Sequence, residues 1–229
     1  MIQITDQIAK TRSRVEESLA RAGEPRDAVT IVAVSKRQPA GSVVEAIAAG
    51  LRHFGENYVQ EGLDKISEVG DSTVQWHFIG RIQSNKTRLI AEHFSWVQTL
   101  DRKRIAVRLN EQRPDALAPL NVLIQVNVDR EPQKGGVTVD ELLPLAQSIG
   151  NLPRLKLRGV MGMPPAGNNP EENRASFLAI RKAADSLKSA GFCVDTISMG
   201  MSSDFELAIE CGSNCVRIGT AIFGSRPAV

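Results

Sequence analysis

One pattern constrains this chain more than any other: a short strand-like run, the first of them apolar and rich in β-branched residues, then a stretch with helical spacing, repeated along the sequence. The runs fall at 30–35, 52–54, 75–79, 96–97, 121–128, 155–161, 196–198 and 215–218. Helical stretches follow at 43–49, 56–68, 84–92 and 101–112, and the alternation continues to the C-terminus. Strands alternating with helices argue for a parallel sheet, because parallel neighbours need a crossover and a helix supplies it. Eight units argue for an α/β fold closed into a single parallel (β/α)8 TIM-type barrel. An open doubly wound sheet, the competing arrangement, usually has fewer strands and leaves edges to cover. Ahead of the first run, Ile4, Ile8, Thr11, Val15 and Leu19 share one helical face that Gly23 and Pro25 end, which predicts an extra N-terminal helix. The polar segments 129–136 and 164–170 read as surface loops.

A length of 229 residues suits one such barrel, so residues 1–229 are expected to form one domain. With 42% apolar and 24% charged residues, no tract is polar enough to be left unfolded. The 28 basic and 26 acidic residues nearly cancel, which is not the footprint of a nucleic-acid binder. No run approaches the roughly 18 apolar residues that would span a bilayer. The first turns carry Asp6, Lys10, Arg12, Arg14, Glu16 and Glu17 in place of an apolar signal core. Three cysteines, Cys193, Cys211 and Cys215, offer no disulfide framework, and the expected location is cytoplasmic. Cys211 and Cys215 enclose Gly-Ser-Asn, which reads as a turn into a strand, and no histidine lies nearby to complete a metal site.

Barrel active sites are built at the C-terminal ends of the strands, and a phosphate commonly sits on the loops after strands seven and eight. Lys36 ends the first strand, on the face of Val32 and Val34. Two readings fit it: a desolvated, nucleophilic amine whose natural partner is an aldehyde, or a lysine that has left the barrel and reaches solvent. After strand seven comes Ser198-Met-Gly-Met-Ser-Ser-Asp204 before a helical stretch at 205–209. Its hydroxyls and amides suit an anion, or Ser202 or Ser203 merely caps the helix. Strand eight runs into Gly219-Thr220, and Arg217 lies within its apolar sequence, where a guanidinium needs acceptors. An aldehyde carrying a phosphate and a basic ring nitrogen would employ all of these groups, and pyridoxal phosphate (PLP) has all three.

The segments Ala33-Val-Ser-Lys36, His53-Phe-Gly-Glu-Asn-Tyr-Val-Gln-Glu61, Trp76-His-Phe-Ile-Gly80, Gln83-Ser-Asn-Lys86, Ser198-Met-Gly-Met-Ser202 and Val216-Arg-Ile-Gly-Thr-Ala-Ile-Phe-Gly224 resemble the pyridoxal phosphate homeostasis protein family from end to end. That family's fold is similar to the N-terminal barrel of alanine racemase. The resemblance implies PLP as cofactor, held as a Schiff base on Lys36, with Arg217 facing the pyridine nitrogen and Ser202, Gly219 and Thr220 on the phosphate. It further implies that Asn57, His77, Met199 and Met201 line the ring; for His77 a packed strand histidine is the competing reading. Arg81, Arg37-Gln38 and Gly135-Gly136 depart from the family pattern and put loop detail in doubt. No metal is implied.

An arginine opposite the pyridine nitrogen disfavours its protonation and weakens the electron sink a carbanion needs. The chain stops at Val229 without the second domain that completes a racemase site, and its one tyrosine, Tyr58, lies on the second helix. The expectation is a protein that buffers or delivers PLP in intracellular vitamin B6 and amino-acid homeostasis, with a small PLP-dependent racemase as the alternative. A monomer in transient contact with PLP-dependent apo-enzymes is the expected state, without nucleic-acid or membrane partners.

Overall fold

A computed structural model describes residues 3–129 and 135–224. Eight parallel strands pair in sequence order and close: β1 (Thr30–Val34), β2 (His53–Glu56), β3 (Gln75–Phe78), β4 (Trp96–Leu100), β5 (Leu120–Gln125), β6 (Leu155–Met161), β7 (Thr196–Ser198) and β8 (Cys215–Ile218). The last strand returns to the first, with Thr30 opposite Cys215 and Ala33 opposite Ile218. The expected closed barrel is what forms, and the open sheet is excluded.

Period-two alternation divides each strand between two environments. Ala33, Phe54, Trp76, Phe78, Val97, Val122, Val216 and Ile218 join the apolar layer between sheet and helices. That layer is covered by α2 (Ala40–Ala48), α3 (Val59–Val69), α4 (Thr87–His93), α5 (Lys103–Gln112), α6 (Val139–Gly150), α7 (Pro170–Ser189) and α8 (Phe205–Glu210), with a short α9 (Thr220–Phe223). The predicted N-terminal helix, α1 (Ile4–Ala22), buries Ile4, Ile8, Thr11, Val15 and Leu19 and ends on Gly23 in the left-handed conformation. It packs on α8 and α9, with Arg14 paired to Glu206 and its guanidinium 4.6 Å from the centre of the Phe205 ring.

Element boundaries differ from expectation where polar residues sit inside strands. β2 runs on to Glu56, and α3 starts at Val59 rather than 56, because Glu56 is a buried strand residue. β4 continues through Gln98 and Thr99, both satisfied internally: Gln98 bonds across the lumen and Thr99 Oγ1 donates to the Gly80 carbonyl at 2.6 Å. The expected helix at 84–92 opens with a 3-10 turn, Ser84–Lys86. β5 ends at Gln125 rather than 128, and of the loop at 129–136 residues 130–134 lie outside the described residues. The loop at 164–170 ends in a capping box: Asn169 Oδ1 accepts from the Glu172 N–H at 3.0 Å and Glu172 Oε2 from the Asn169 N–H at 2.8 Å.

A buried ionic cluster on the outer face fixes the chain that carries Lys36. Lys65, on α3, donates to the Ser35 carbonyl at 2.6 Å, to Glu56 Oε1 at 2.7 Å and to Glu61 Oε1 at 2.8 Å, which uses all three ammonium protons. The Ser35 hydroxyl donates to the same Glu56 oxygen at 2.6 Å. Glu61 also accepts the backbone N–H of Arg37, a non-glycine residue at φ 60°. The peptide groups on both sides of residue 36 are thus anchored by α3. Burial pushes the Glu56 carboxyl up, against the pull of Lys65 and Ser35.

Two substitutions test these constraints. Gly159 has φ 145°, and a Cβ there would lie 1.9 Å from the Thr196 carbonyl oxygen where β6 meets β7. Gly159→Ala should therefore lower stability by about 3 kcal/mol in urea unfolding. Lys65→Met strands Glu56 and should cost about 3–5 kcal/mol, part of which Glu56→Gln added to it should restore. An unchanged urea midpoint for Lys65→Met would contradict the cluster's role.

Candidate functional site

At the C-terminal mouth a cavity of about 500 Å³ gathers residues from both ends of the sequence. Of the nine predicted cofactor residues, Lys36, Asn57, Met201, Ser202, Arg217, Gly219 and Thr220 line it. Lys36 belongs to this wall together with Val34, so the reading in which it leaves the barrel gives way to one in which it borders the cavity. Val34, Ile79, Met161, Met163 and Ser203 complete the lining; the sequence reading places Val34 on the face of Lys36 and Ser203 in the candidate anion loop, and misses Ile79, Met161 and Met163. Alternation could have found Ile79, which continues the inward face of His77.

The remaining two predicted residues sit elsewhere. Met199 is fully buried in the apolar layer with Ile197, on the face opposite Ser198. His77 points into the lumen but one layer below the cavity, stacked on Trp96 with ring centres 5.1 Å apart. It lies 2.9 Å from both His53 Nδ1 and Gln98 Nε2, as a packed strand histidine with its hydrogen bonds met. Burial holds His77 well below the ordinary histidine value, with His53 beside it adding to the shift.

The loops after β7 and β8 meet at Ser202. Its Oγ accepts from the Gly219 and Ala221 N–H groups, each at 3.3 Å, so the hydroxyl does not cap α8. Asp204 instead holds the loop, accepting the Met201 N–H at 2.7 Å, and burial raises its carboxyl. Gly200, at φ 93°, lets this loop pass Ala208, whose Cβ would stand 2.6 Å from a side chain there. A hydroxyl and converging backbone N–H groups at a mouth that also carries Lys36 and Arg217 form a seat for a phosphate-like group.

Arg217 is 4% exposed. Its Nη1 donates to Ser198 Oγ at 2.6 Å and its Nη2 to the Gly162 carbonyl at 3.1 Å, which leaves further N–H donors for whatever occupies the cavity. Asn57 offers the opposite polarity, because its buried Oδ1 has no hydrogen-bond partner. Lys36, Arg217, Asn57 and the loop residues Ser202, Gly219 and Thr220 therefore converge on one space. This set can take a small molecule with an electrophilic carbonyl, an acceptor ring atom and an anionic tail. Among the described residues, no cluster of His, Cys, Asp and Glu is arranged to hold a metal, and no helix is long and apolar enough to cross a membrane. Cys211 and Cys215 are buried and unpaired.

Residues 9–227 match the family described as alanine racemase, N-terminal domain. The chain is 48% identical to the pyridoxal phosphate homeostasis protein of Escherichia coli, over 99% of this chain and 98% of that one. It is 50% identical to the protein of the same name from Pseudomonas aeruginosa, over 99% and 97% of the two chains. PipY of Synechococcus elongatus, solved with PLP bound, superposes with a TM-score of 0.85 at 36% identity over 97% of this chain and 100% of that one. Alanine racemase of Corynebacterium glutamicum shares the fold, with a TM-score of 0.72 at 18% identity over 98% of this chain and 62% of that enzyme. Full-length identity of this order, together with the closed barrel, establishes that the chain belongs to the pyridoxal phosphate homeostasis protein family, within the alanine racemase N-terminal domain family.

Proposed function

We propose that this chain binds PLP in the C-terminal cavity and keeps it there for buffering or delivery, turning over no substrate of its own. The observation that carries the reading is the convergence of Lys36, Arg217, Asn57 and the Ser202–Gly219–Thr220 loops on one cavity. PipY solved with PLP bound and the names of the full-length relatives support it. The residues present fit the group, since Arg217 keeps N–H donors for an acceptor ring atom and Lys36 borders the same cavity. When bound, PLP supplies an aldehyde that condenses reversibly with an amine, and a pyridine ring that can accept electrons.

Lys36 supplies the amine, and its backbone is held on both sides by the Lys65 cluster. Ser202, Gly219 and Thr220 take the phosphate, the Gly219 and Ala221 N–H groups turning from the hydroxyl towards the anion. Arg217, donor only and permanently charged, faces the ring nitrogen and keeps a proton off it, which leaves the ring a poor electron sink. Asn57 and Met201 border the ring. Among the described residues that line the cavity, the ionisable side chains are Lys36 and Arg217, which supports a holder over a catalyst. Tyr58 is half exposed and outside this wall. Three free cysteines support a reducing, cytoplasmic setting, and a monomer that meets PLP-dependent apo-enzymes transiently suits a carrier.

The test is a visible absorbance titration of wild type and Lys36→Ala with PLP, followed by borohydride reduction and peptide mass analysis. Wild type should turn yellow and carry the label on Lys36, and the variant should do neither; the same band in both would overturn the assignment. Ser202→Ala should weaken binding about tenfold. Exchange of the α-hydrogen of added amino acids at ordinary enzyme rates would overturn the carrier reading.

A further inference from the structure

Behind Arg217 a row of polar side chains crosses the barrel lumen from β8 to β2. After the Arg217–Ser198 bond, Ser198 Oγ donates to Gln98 Oε1 at 2.7 Å. Gln98 Nε2 then lies 2.9 Å from His77 Nδ1, and His77 Nε2 lies 2.9 Å from His53 Nδ1. Ser198, Gln98 and His77 are almost completely excluded from solvent. His53 is partly exposed on a separate pocket of about 310 Å³ lined also by Thr30, Asp195 and Asn214, residues at the N-terminal ends of the strands or just before them. The row therefore spans the lumen from the cofactor cavity to the opposite mouth.

Elementary donor and acceptor counting gives the row one direction. A guanidinium only donates, so the Ser198 oxygen accepts and sends its own proton to the Gln98 carbonyl. The Gln98 amide then presents its NH2 to His77, whose Nδ1 must be bare. A neutral imidazole with a bare Nδ1 carries its proton on Nε2, so His77 donates to His53 Nδ1, and His53 in turn keeps its proton on Nε2. Burial holds both histidines below their ordinary value, in the neutral state this order requires.

We propose that Ser198, Gln98 and His77 are positioning residues that form a one-way hydrogen-bonded relay holding the Arg217 guanidinium towards the cofactor ring, with His53 as the far terminus. Arg217 is a long side chain whose end is held by two acceptors, the Gly162 carbonyl and the Ser198 hydroxyl. The carbonyl is fixed by the backbone. The hydroxyl can rotate, and Gln98 stops it. Gln98 in turn is held by His77, whose ring is clamped against Trp96. Loss of one link leaves a buried polar atom unmatched and frees the next, so the effect travels to Arg217. The inference rests on the reading that Arg217 faces the PLP ring.

The experiment has two arms. In the cofactor-free protein, magnetic resonance of isotope-labelled histidine ring nitrogens reads the direction alone, and with three histidines in the chain the spectrum is simple. Wild-type His77 should show a bare Nδ1 and a protonated Nε2, and Gln98→Glu, which faces Nδ1 with a carboxylate, should put a proton on it. In the second arm, Gln98→Leu and Ser198→Ala should bind PLP about tenfold more weakly, with a displaced absorption band, while borohydride still labels Lys36. A protonated Nδ1 in wild-type His77, or wild-type affinity and band position in Gln98→Leu, would overturn the relay. The wild-type ring spectrum needs no variant, so misfolding of a substituted chain leaves the direction tested. A wild type that binds no PLP would overturn the functional reading while the ring spectrum still judges the relay.

Discussion

The pairing of β8 with β1 is the interaction on which the site depends. Eight parallel strands leave no edge only if the last returns to the first, and the register that closes them sets Val32 beside Arg217 and Ala33 beside Ile218. Two residues beyond Val34, Lys36 then borders the same cavity as Gly219 and Thr220. A Cβ on Gly219 would lie 3.3 Å from the Val34 carbonyl oxygen, so the closing strands also limit what side chain that position can carry. Helix α1 braces this seam from outside by packing on α8 and α9, the helices that follow the loops after β7 and β8.

Closure creates a lumen, and the molecule fills it unevenly. Trp96, Leu123 and Met161 make a small apolar cluster on one side. Against it, with His77 stacked on Trp96, runs the polar row from Arg217 to His53, which an apolar barrel core would not tolerate unless each group were matched. Arg217 is the reason the row exists, since a donor-only cation in that position imposes an acceptor on Ser198 and, through it, an order on everything behind. On the outer face, Lys65 plays a comparable part for the backbone around Lys36, tying β1, β2 and α3 together through Glu56 and Glu61. Lys36 and Arg217, which border the same cavity from neighbouring strands, are thus each backed by buried polar groups.

Much of this was legible in the sequence. Eight short strand-like runs alternating with helical stretches imply a parallel barrel because few other folds bury so many short strands, and the position of Lys36 at the end of the first run follows from the same pattern. Alternation also places His77 and Ser198 inward. Two of the boundaries that differed, at Glu56 and at Gln98-Thr99, are those where a polar residue inside a strand looked like the end of one, because its partner lies far away in sequence.

What the tertiary structure alone decided is depth and partnership. His77 and Ile79 share an inward face, yet only Ile79 reaches the cavity, because successive inward positions occupy successive layers along the barrel axis. Met199 belongs to a motif rich in cofactor-type residues but falls on the outer face, as its one-residue offset from Ser198 requires. Whether Ser202 capped a helix or served the anion seat depended on Gly219 and Ala221 arriving from another strand. The sequence by itself determined which strands form and which chemical groups stand at their ends. Closure of the barrel decided which of those groups meet, because the contacts that select them join residues distant along the chain.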